Sequence, residues 1–225
     1  FLIDEAERLR IVQQCHEREL ETFRLIEEHP AVKVVTQGFS VDEKDTWGIK
    51  LGETLPDGRR QFKPTKVNTK SVHFLNHLSV YLGYHTGEKG DAGNLSFEKD
   101  ILKTLAGLLP EVPDPTDNQK LFRLIRENRT LRDLNSKYLV SLPDYIINGR
   151  IHYNFKMAST VTGRLSCANF NIQQIKKKSG LRRMFIASPG FKLVSMDYDR
   201  IELVVLAFLS QEPRMLKAVR DKEDL

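Results

Sequence analysis

Two stretches of this chain repeat apolar residues at spacings of three and four, each over more than twenty positions, and that pattern leaves few folds open. The first runs from Ile3 to Glu28, with Ala6, Leu9, Val12, His16, Leu20, Phe23 and Glu27 along one stripe. It predicts one long amphipathic helix, ended by His29-Pro30 because the residue before a proline is pushed out of the helical region. The second runs from Asp117 to Val140, with Leu121, Ile125, Asn128, Leu131, Asn135 and Tyr138 along its stripe. Between them, Thr69 to Leu82 reads as a shorter helix with Ser71 or Thr69 near its start. Ser96 to Leu109 reads as another, with Ser96 placed to cap. Val32 to Lys66 is mixed, punctuated by Gly38, Gly48, Gly52 and Pro56-Asp57-Gly58, and Pro110, Pro113 and Pro115 mark a loop. Two long amphipathic helices with short ones between them suit an antiparallel pair, which an ordinary helical bundle would also supply.

Beyond Pro143 the period changes. Arg150 to Met157 alternates strictly and predicts a half-exposed strand. Phe191 to Met196 predicts a second, buried strand with Asp197 at its end. A turn follows, then a helix from Ile201 to Leu209, apolar on nearly every side, with Glu202 near its start; Leu216 to Val219 continues helical. The fold class is therefore α+β: a helical region over 1–142, then strands and a helix over 143–225. A carboxylate at the end of a buried strand is costly unless compensated. A divalent cation such as Mg²⁺ is one compensator, since carboxylate and carbonyl oxygens suit it. A helix cap at Asp197 is the plainer alternative.

Charge is segregated. Fourteen basic residues face three acids between Gln119 and Arg183, a net of +11 against +5 for the whole chain, so the remainder carries −6. That is the electrostatic footprint of a phosphate-backbone partner, with a solvated helix face as the bland alternative. Arg123, Arg126 and Arg129 recur at three-residue spacing on one flank of the second long helix. Cys15 and Cys167 are far apart and suggest neither a disulfide scaffold nor a zinc site. No apolar run approaches the roughly eighteen residues of a membrane span, so no membrane partner is expected. The first residue is Phe, which leaves room for a lost leader segment.

Four short motifs stand in order. They are Thr162-Gly163-Arg164-Leu165-Ser166, then Asn169-Phe170-Asn171-Ile172-Gln173-Gln174-Ile175, then Arg182-Arg183-Met184-Phe185-Ile186-Ala187, then Asp197-Tyr198-Asp199-Arg200-Ile201-Glu202-Leu203. In this order and spacing they resemble the DNA polymerase I family (family A), with the last corresponding to its motif A. The match is clear from about Arg150 to Leu225. It is looser toward the N-terminus, where residues 1–142 resemble the thumb.

The resemblance implies template-directed DNA synthesis, meaning deoxynucleotidyl transfer to a primer 3′ end. Its partners would be primer–template DNA and deoxynucleoside triphosphates, and its setting the cytoplasm or nucleoid, with organellar or viral origin open. Nucleotidyl transfer is mainly positioning and charge stabilisation by metal ions. By resemblance, Asp197 holds the Mg²⁺ pair with its carboxylate and Tyr198 adds its backbone carbonyl. Glu202 leaves no room for a ribose 2′-hydroxyl. Arg164 checks the minor groove at the primer end, where every base pair offers an acceptor at the same place. Asn171 and Gln173 line the template side, and Arg182 lies near the incoming triphosphate. Lys156, Arg126 and Arg129 are further candidates for DNA contact.

This chain departs from the family pattern at Asp199 and Arg200, where a small residue and Gln are usual, and at Phe170 and Lys176, where proline is usual. The family's second metal-binding carboxylate and its fingers helix lie downstream of motif A, and an exonuclease domain would precede Phe1. The chain is thus expected to be a fragment, or one part of a split enzyme, inactive without the remainder of the polymerase or a complementary subunit. Two other readings stay open: a non-catalytic duplex-binding module, and a single-subunit RNA polymerase with a related palm. Glu202 argues against the second.

Overall fold

The computed structural model describes residues 1–42, 53–84, 102, 105, 116–157, 159–221 and 223. The expected helix at Ser96 to Leu109 and the proline loop after it lie outside the described residues, apart from Leu102 and Leu105, which are helical and buried. The architecture is α+β. It divides into two compact units, Phe1–Ile186 and Ala187–Leu225.

In the first unit a short strand, β1 (Leu2–Ile3), leads into α1 (Glu5–Glu28). Asp4 caps α1 by accepting from the Glu7 amide at 3.0 Å, and Glu5 and Glu7 place negative charge at the positive end of the helix. His29 is extended, as a residue before proline must be, and α2 (Pro30–Gln37) starts on that proline. Sequence periodicity did not predict α2. A three-stranded antiparallel sheet follows, with β4 (Arg59–Phe62) between β2 (Phe39–Asp42) and β3 (Glu53–Thr54). Helix α3 (Val72–Leu82) is capped by Ser71 and closed by Gly83 at φ 72°. Helix α4 (Asp117–Leu134) opens on a reciprocal capping box between Thr116 and Gln119 and continues into a π-helical turn, Asn135–Leu139.

Helices α1 and α4 are antiparallel. The Cys15 thiol meets the Leu131 carbonyl near one end, while Thr22 meets Asn128 further along. The pair threads two cores. One gathers Ile26, Val35, Phe62, Phe74, Leu78 and Phe122; the other gathers Ile11, Leu139, Leu142, Phe170, Leu181 and Met184. Buried Asn128 donates to the Glu19 carbonyl at 3.1 Å and to Thr22 Oγ1 at 3.0 Å, and accepts from Thr69 Oγ1 at 2.8 Å. A buried amide satisfied this fully is tolerated; losing one partner would cost about 1–3 kcal/mol.

The α4 stripe is buried as the periodicity predicts, with Leu121, Ile125 and Asn128 inside. The α1 stripe is not. Ile11, Cys15, Thr22 and Ile26 face inward, while Leu9 and Leu20 are more than half exposed. The inward face is one position away from the expected one, and it wins because Thr22 and Cys15 meet partners on α4 that leucines could not.

After a 3-10 turn at Leu142–Tyr145 come β5 (Ile146–Ile147) and β6 (Arg150–Ile151), joined through Asn148 and Gly149, both at positive φ. Strand β7 (Asn154–Lys156) pairs with β8 (Ser166–Ala168), and β9 (Phe185–Ile186) follows. The single strand expected over Arg150 to Met157 is therefore two strands in different sheets, broken at His152-Tyr153. The first sheet has the order β5-β6-β1-β9, so the chain's first residues lie between elements from far along it.

In the second unit, α5 (Ile201–Ser210) and α6 (Pro213–Asp221) pack together, matching the expected helices. The buried strand expected at Phe191 to Met196 does not form. These residues are irregular and exposed, Val194 at 77% and Met196 at 90%. A strand is a ladder, and among the described residues no neighbouring strand offers this segment hydrogen bonds.

Candidate functional site

The basic motif residues gather around the β7–β8 hairpin of the first unit. Lys156 sits opposite Ser166 in the ladder, and the hairpin's long loop carries Arg164. That loop is braced internally. The Gly163 amide donates to the Thr160 carbonyl at 3.1 Å, the Thr160 hydroxyl donates to the Arg164 carbonyl at 2.8 Å, and the Ser159 and Ser166 hydroxyls pair. Gly163 stands at φ 72°, a conformation that favours glycine over any residue with a Cβ. The Arg164 side chain is exposed at this turn.

The second motif docks onto the first. Asn171 caps a 3-10 turn (Ile172–Gln174) by accepting from the Gln173 amide at 3.2 Å. The Gln173 side chain then donates to the Leu165 carbonyl at 3.1 Å, next to Arg164. Phe170, where the family usually has proline, is buried at 2% exposure against Tyr138 and Tyr145. The third motif closes the group. Arg182 donates from Nε and Nη2 to the Ile175 carbonyl at 3.2 and 2.8 Å, spanning the basic loop of Lys176 to Gly180. Leu181 and Met184 anchor that segment in the core, and Arg183 pairs with Glu7 of α1 at 3.2 Å. Lys156, Arg164, Asn171, Gln173 and Arg182 thus form a group of motif residues fixed by local bonds.

Arg126 and Arg129 lie on α4, half-buried. Burial lowers the affinity of Arg129 for its proton, and Asp133 opposes that effect. Arg123, Arg126, Glu127 and Thr130 line a recess of about 370 Å³. Glu127 is bound by Arg18 of α1 at 2.6 Å, which takes this acid out of competition with an incoming anion. A larger cleft of about 570 Å³ joins Leu131, Leu134, Lys137 and Tyr138 on one wall to Gln174 and Lys176 on the other. The role of Lys137 in that cleft was not legible in the sequence, because the π-helical turn shifts the residues after Leu134 from their α-helical positions.

The acidic turn belongs to the second unit. Asp197, Tyr198 and Asp199 are exposed, so the expectation of a buried strand-end carboxylate is corrected: with no strand, Asp197 reaches solvent. Nor does Asp197 cap the helix. That position is Arg200, left-handed at φ 48° with no side-chain cap, and its guanidinium contacts Asp199 at 3.5 Å and the Glu223 carbonyl at 3.1 Å. Glu202 lies in the first turn of α5. Among the described residues, no three His, Cys, Asp or Glu side chains already converge on a point that could hold a metal.

The sequence model for "DNA polymerase family A" matches residues 53–225, well over half of the chain. The chain belongs to DNA polymerase family A. DNA polymerase I of Synechocystis sp. is 46% identical over 108 residues, which are 45% of this chain and 11% of that protein. DNA polymerase I of Rhizobium leguminosarum is 35% identical over 150 residues, 64% of this chain and 14% of that protein. The thermostable DNA polymerase I of Thermus aquaticus is 40% identical over 107 residues, 45% and 13%. This family A chain therefore spans a small part of the length of these relatives. The fold agrees with the POL domain of Pol1 from M. smegmatis, solved in complex with DNA primer-template and dNTP. The TM-score is 0.68 at 18% identity, covering 100% of this chain and 33% of that one. No helix among the described residues is long and apolar enough to cross a membrane.

Proposed function

We propose that this family A chain is the thumb (1–142) and the beginning of the palm (143–225) of a DNA polymerase, and that it holds primer–template duplex for deoxynucleotidyl transfer. The observation that carries the reading is a group of motif residues fixed by local bonds: Lys156 pairs with Ser166 in the hairpin, Gln173 donates to the Leu165 carbonyl beside Arg164, and Arg182 donates to the Ile175 carbonyl. Such a surface offers donors to phosphates and to minor-groove acceptors without selecting a sequence. Arg164, exposed on its braced turn, donates to the primer-end minor groove. Asn171 and Gln173 brace that turn and face the template strand. Arg182 spends two of its five donors on Ile175, which fixes its plane and leaves the others for the incoming triphosphate. Arg126 and Arg129 hold the duplex backbone from α4.

The reading implies Mg²⁺. The donor chemistry fits: Asp197 and the Tyr198 carbonyl are hard oxygen ligands on an exposed turn. They are too few by themselves, so the remaining ligands come from the triphosphate, water and an acid contributed by the remainder of the polymerase or a complementary subunit. When bound, the metal neutralises charge on the transferring phosphoryl group. Glu202, in the first turn of α5, stands against the sugar and excludes a 2′-hydroxyl. The apolar surface of α5 and of Phe191 to Met196 is where the rest of the palm packs. The setting is the cytoplasm or nucleoid.

Fluorescence anisotropy with a labelled primer–template at two salt concentrations tests the reading. Binding should weaken steeply with salt and tolerate any base sequence. Salt-independent binding, or a demand for one sequence, would exclude it. Binding without any extension by the full-length polymerase would favour a non-catalytic duplex-binding module instead.

A further inference from the structure

One buried polar group is used neither by the fold nor by the proposed reaction. His77, on α3, is 1% exposed, and neither of its ring nitrogens has a hydrogen-bond partner. Each such orphan costs about 1–3 kcal/mol, so a partner is called for. The ring is held in an aromatic box, edge-on to Phe62 at 4.9 Å and to Phe39 at 6.1 Å. Burial, with His73 beside it, pushes its pKa down to about 4, so the imidazole is neutral near pH 7 and carries an available lone pair. His73 lies one turn earlier on the same face, exposed, its ring centroid 4.2 Å from that of His77. Both rings line a cavity of about 220 Å³ with Glu53 and Lys63. That is several times the roughly 30 Å³ share of one water. Glu53, on β3, is ion-paired with Lys63, which follows β4.

We propose that His73 and His77 form a two-imidazole site for a borderline divalent transition metal of the Zn²⁺ class. Histidines at i and i+4 on one helix face can reach a single metal ion. Imidazole donors select Zn²⁺, Ni²⁺ or Cu²⁺ over Mg²⁺, so this site is chemically distinct from an oxygen-donor site at Asp197. Water completes the shell around the two imidazoles, and Glu53 stays paired with Lys63 in the same cavity. The bound ion bridges two turns of α3 beside the β2-β4-β3 sheet. The inference does not depend on the polymerase reading.

Isothermal titration of the tag-free chain with Zn²⁺ near neutral pH tests it, with thermal melts alongside. One Zn²⁺ should bind per chain, raise the melting temperature and resist competition by excess Mg²⁺. His73→Gln, at an exposed position that leaves the core intact, should weaken binding by at least about tenfold and remove the thermal shift. His77→Phe, which extends the aromatic box, should abolish binding. No stoichiometric binding, or binding undiminished in His73→Gln, would overturn the site; His73→Gln decides the matter even if His77→Phe fails to fold.

Discussion

The two units respond in opposite ways to similar apolar sequence. In the first, Phe62, Phe74, Phe122 and Phe170 are almost completely buried. In the second, Phe191 is 76%, Phe208 62% and Leu209 80% exposed, and Ala207 is the one fully buried helix residue described. Helix α5 is apolar nearly all round, while α4 carries five arginines and lysines among its eighteen residues, yet α4 is the better buried. Burial belongs to pairs of surfaces rather than to segments: α4 has α1 to face, whereas α5 has α6 alone within its unit. A contiguous apolar surface left open in this way marks an interaction surface. The first unit thus carries the described cores, and the second presents an open apolar surface.

Mutations should separate along that line. Phe122→Ala in the first unit should destabilise the chain by about 3–5 kcal/mol in urea unfolding, whereas Val194→Ala in the second should change it by less than about 0.5 kcal/mol. Equal losses would break the comparison. In the full-length polymerase, Asp197→Ala should slow single-turnover primer extension by about two to three orders of magnitude while duplex affinity stays unchanged. Near wild-type extension would remove Asp197 from the reaction, with Asp199 the next residue to test. Glu202→Ala should shift the ratio of kcat/KM values for deoxyribonucleotide over ribonucleotide by about 1–3 kcal/mol. An unchanged ratio would place the gate elsewhere.

The last effect is one of pH. His77 has a folded pKa near 4 against an ordinary 6.5. Between those values the unfolded chain binds more protons, so stability rises with pH through this window and is lost as pH falls from about 6.5 toward 4. The loss should be roughly 2–3 kcal/mol and absent in His77→Phe, read from urea midpoints at both ends of the window. A slope retained in His77→Phe would assign the effect to other groups.

Much of the first unit was legible because its signals are local and its partners lie within the chain. The α4 stripe, the Ser71 cap and the break at His29-Pro30 each follow from a few neighbouring residues. The α1 face was misread because periodicity ranks faces by apolarity, and the buried face contains Thr22 and Cys15, chosen by what α4 presents. At the site, the motif residues were visible in order. The bonds that assemble them, from Gln173 to the Leu165 carbonyl and from Arg182 to the Ile175 carbonyl, were not, since backbone acceptors leave no mark in side-chain identity. Phe191 to Met196 has the composition of a strand, but composition cannot supply the neighbouring ladder.

The position of β1 has a consequence for synthesis. Leu2 pairs with both Arg150 and Ile186, so the sheet cannot close until the ribosome has delivered nearly the whole first unit. At about 5–20 residues per second, Leu2 and Ile3 wait roughly 10–40 seconds for their second neighbour. During that interval the segment after it can already coil into α1, but its tip stays an unpaired strand edge. The Leu2–Ile3 edge is therefore covered on that side only once Phe185 and Ile186 have emerged.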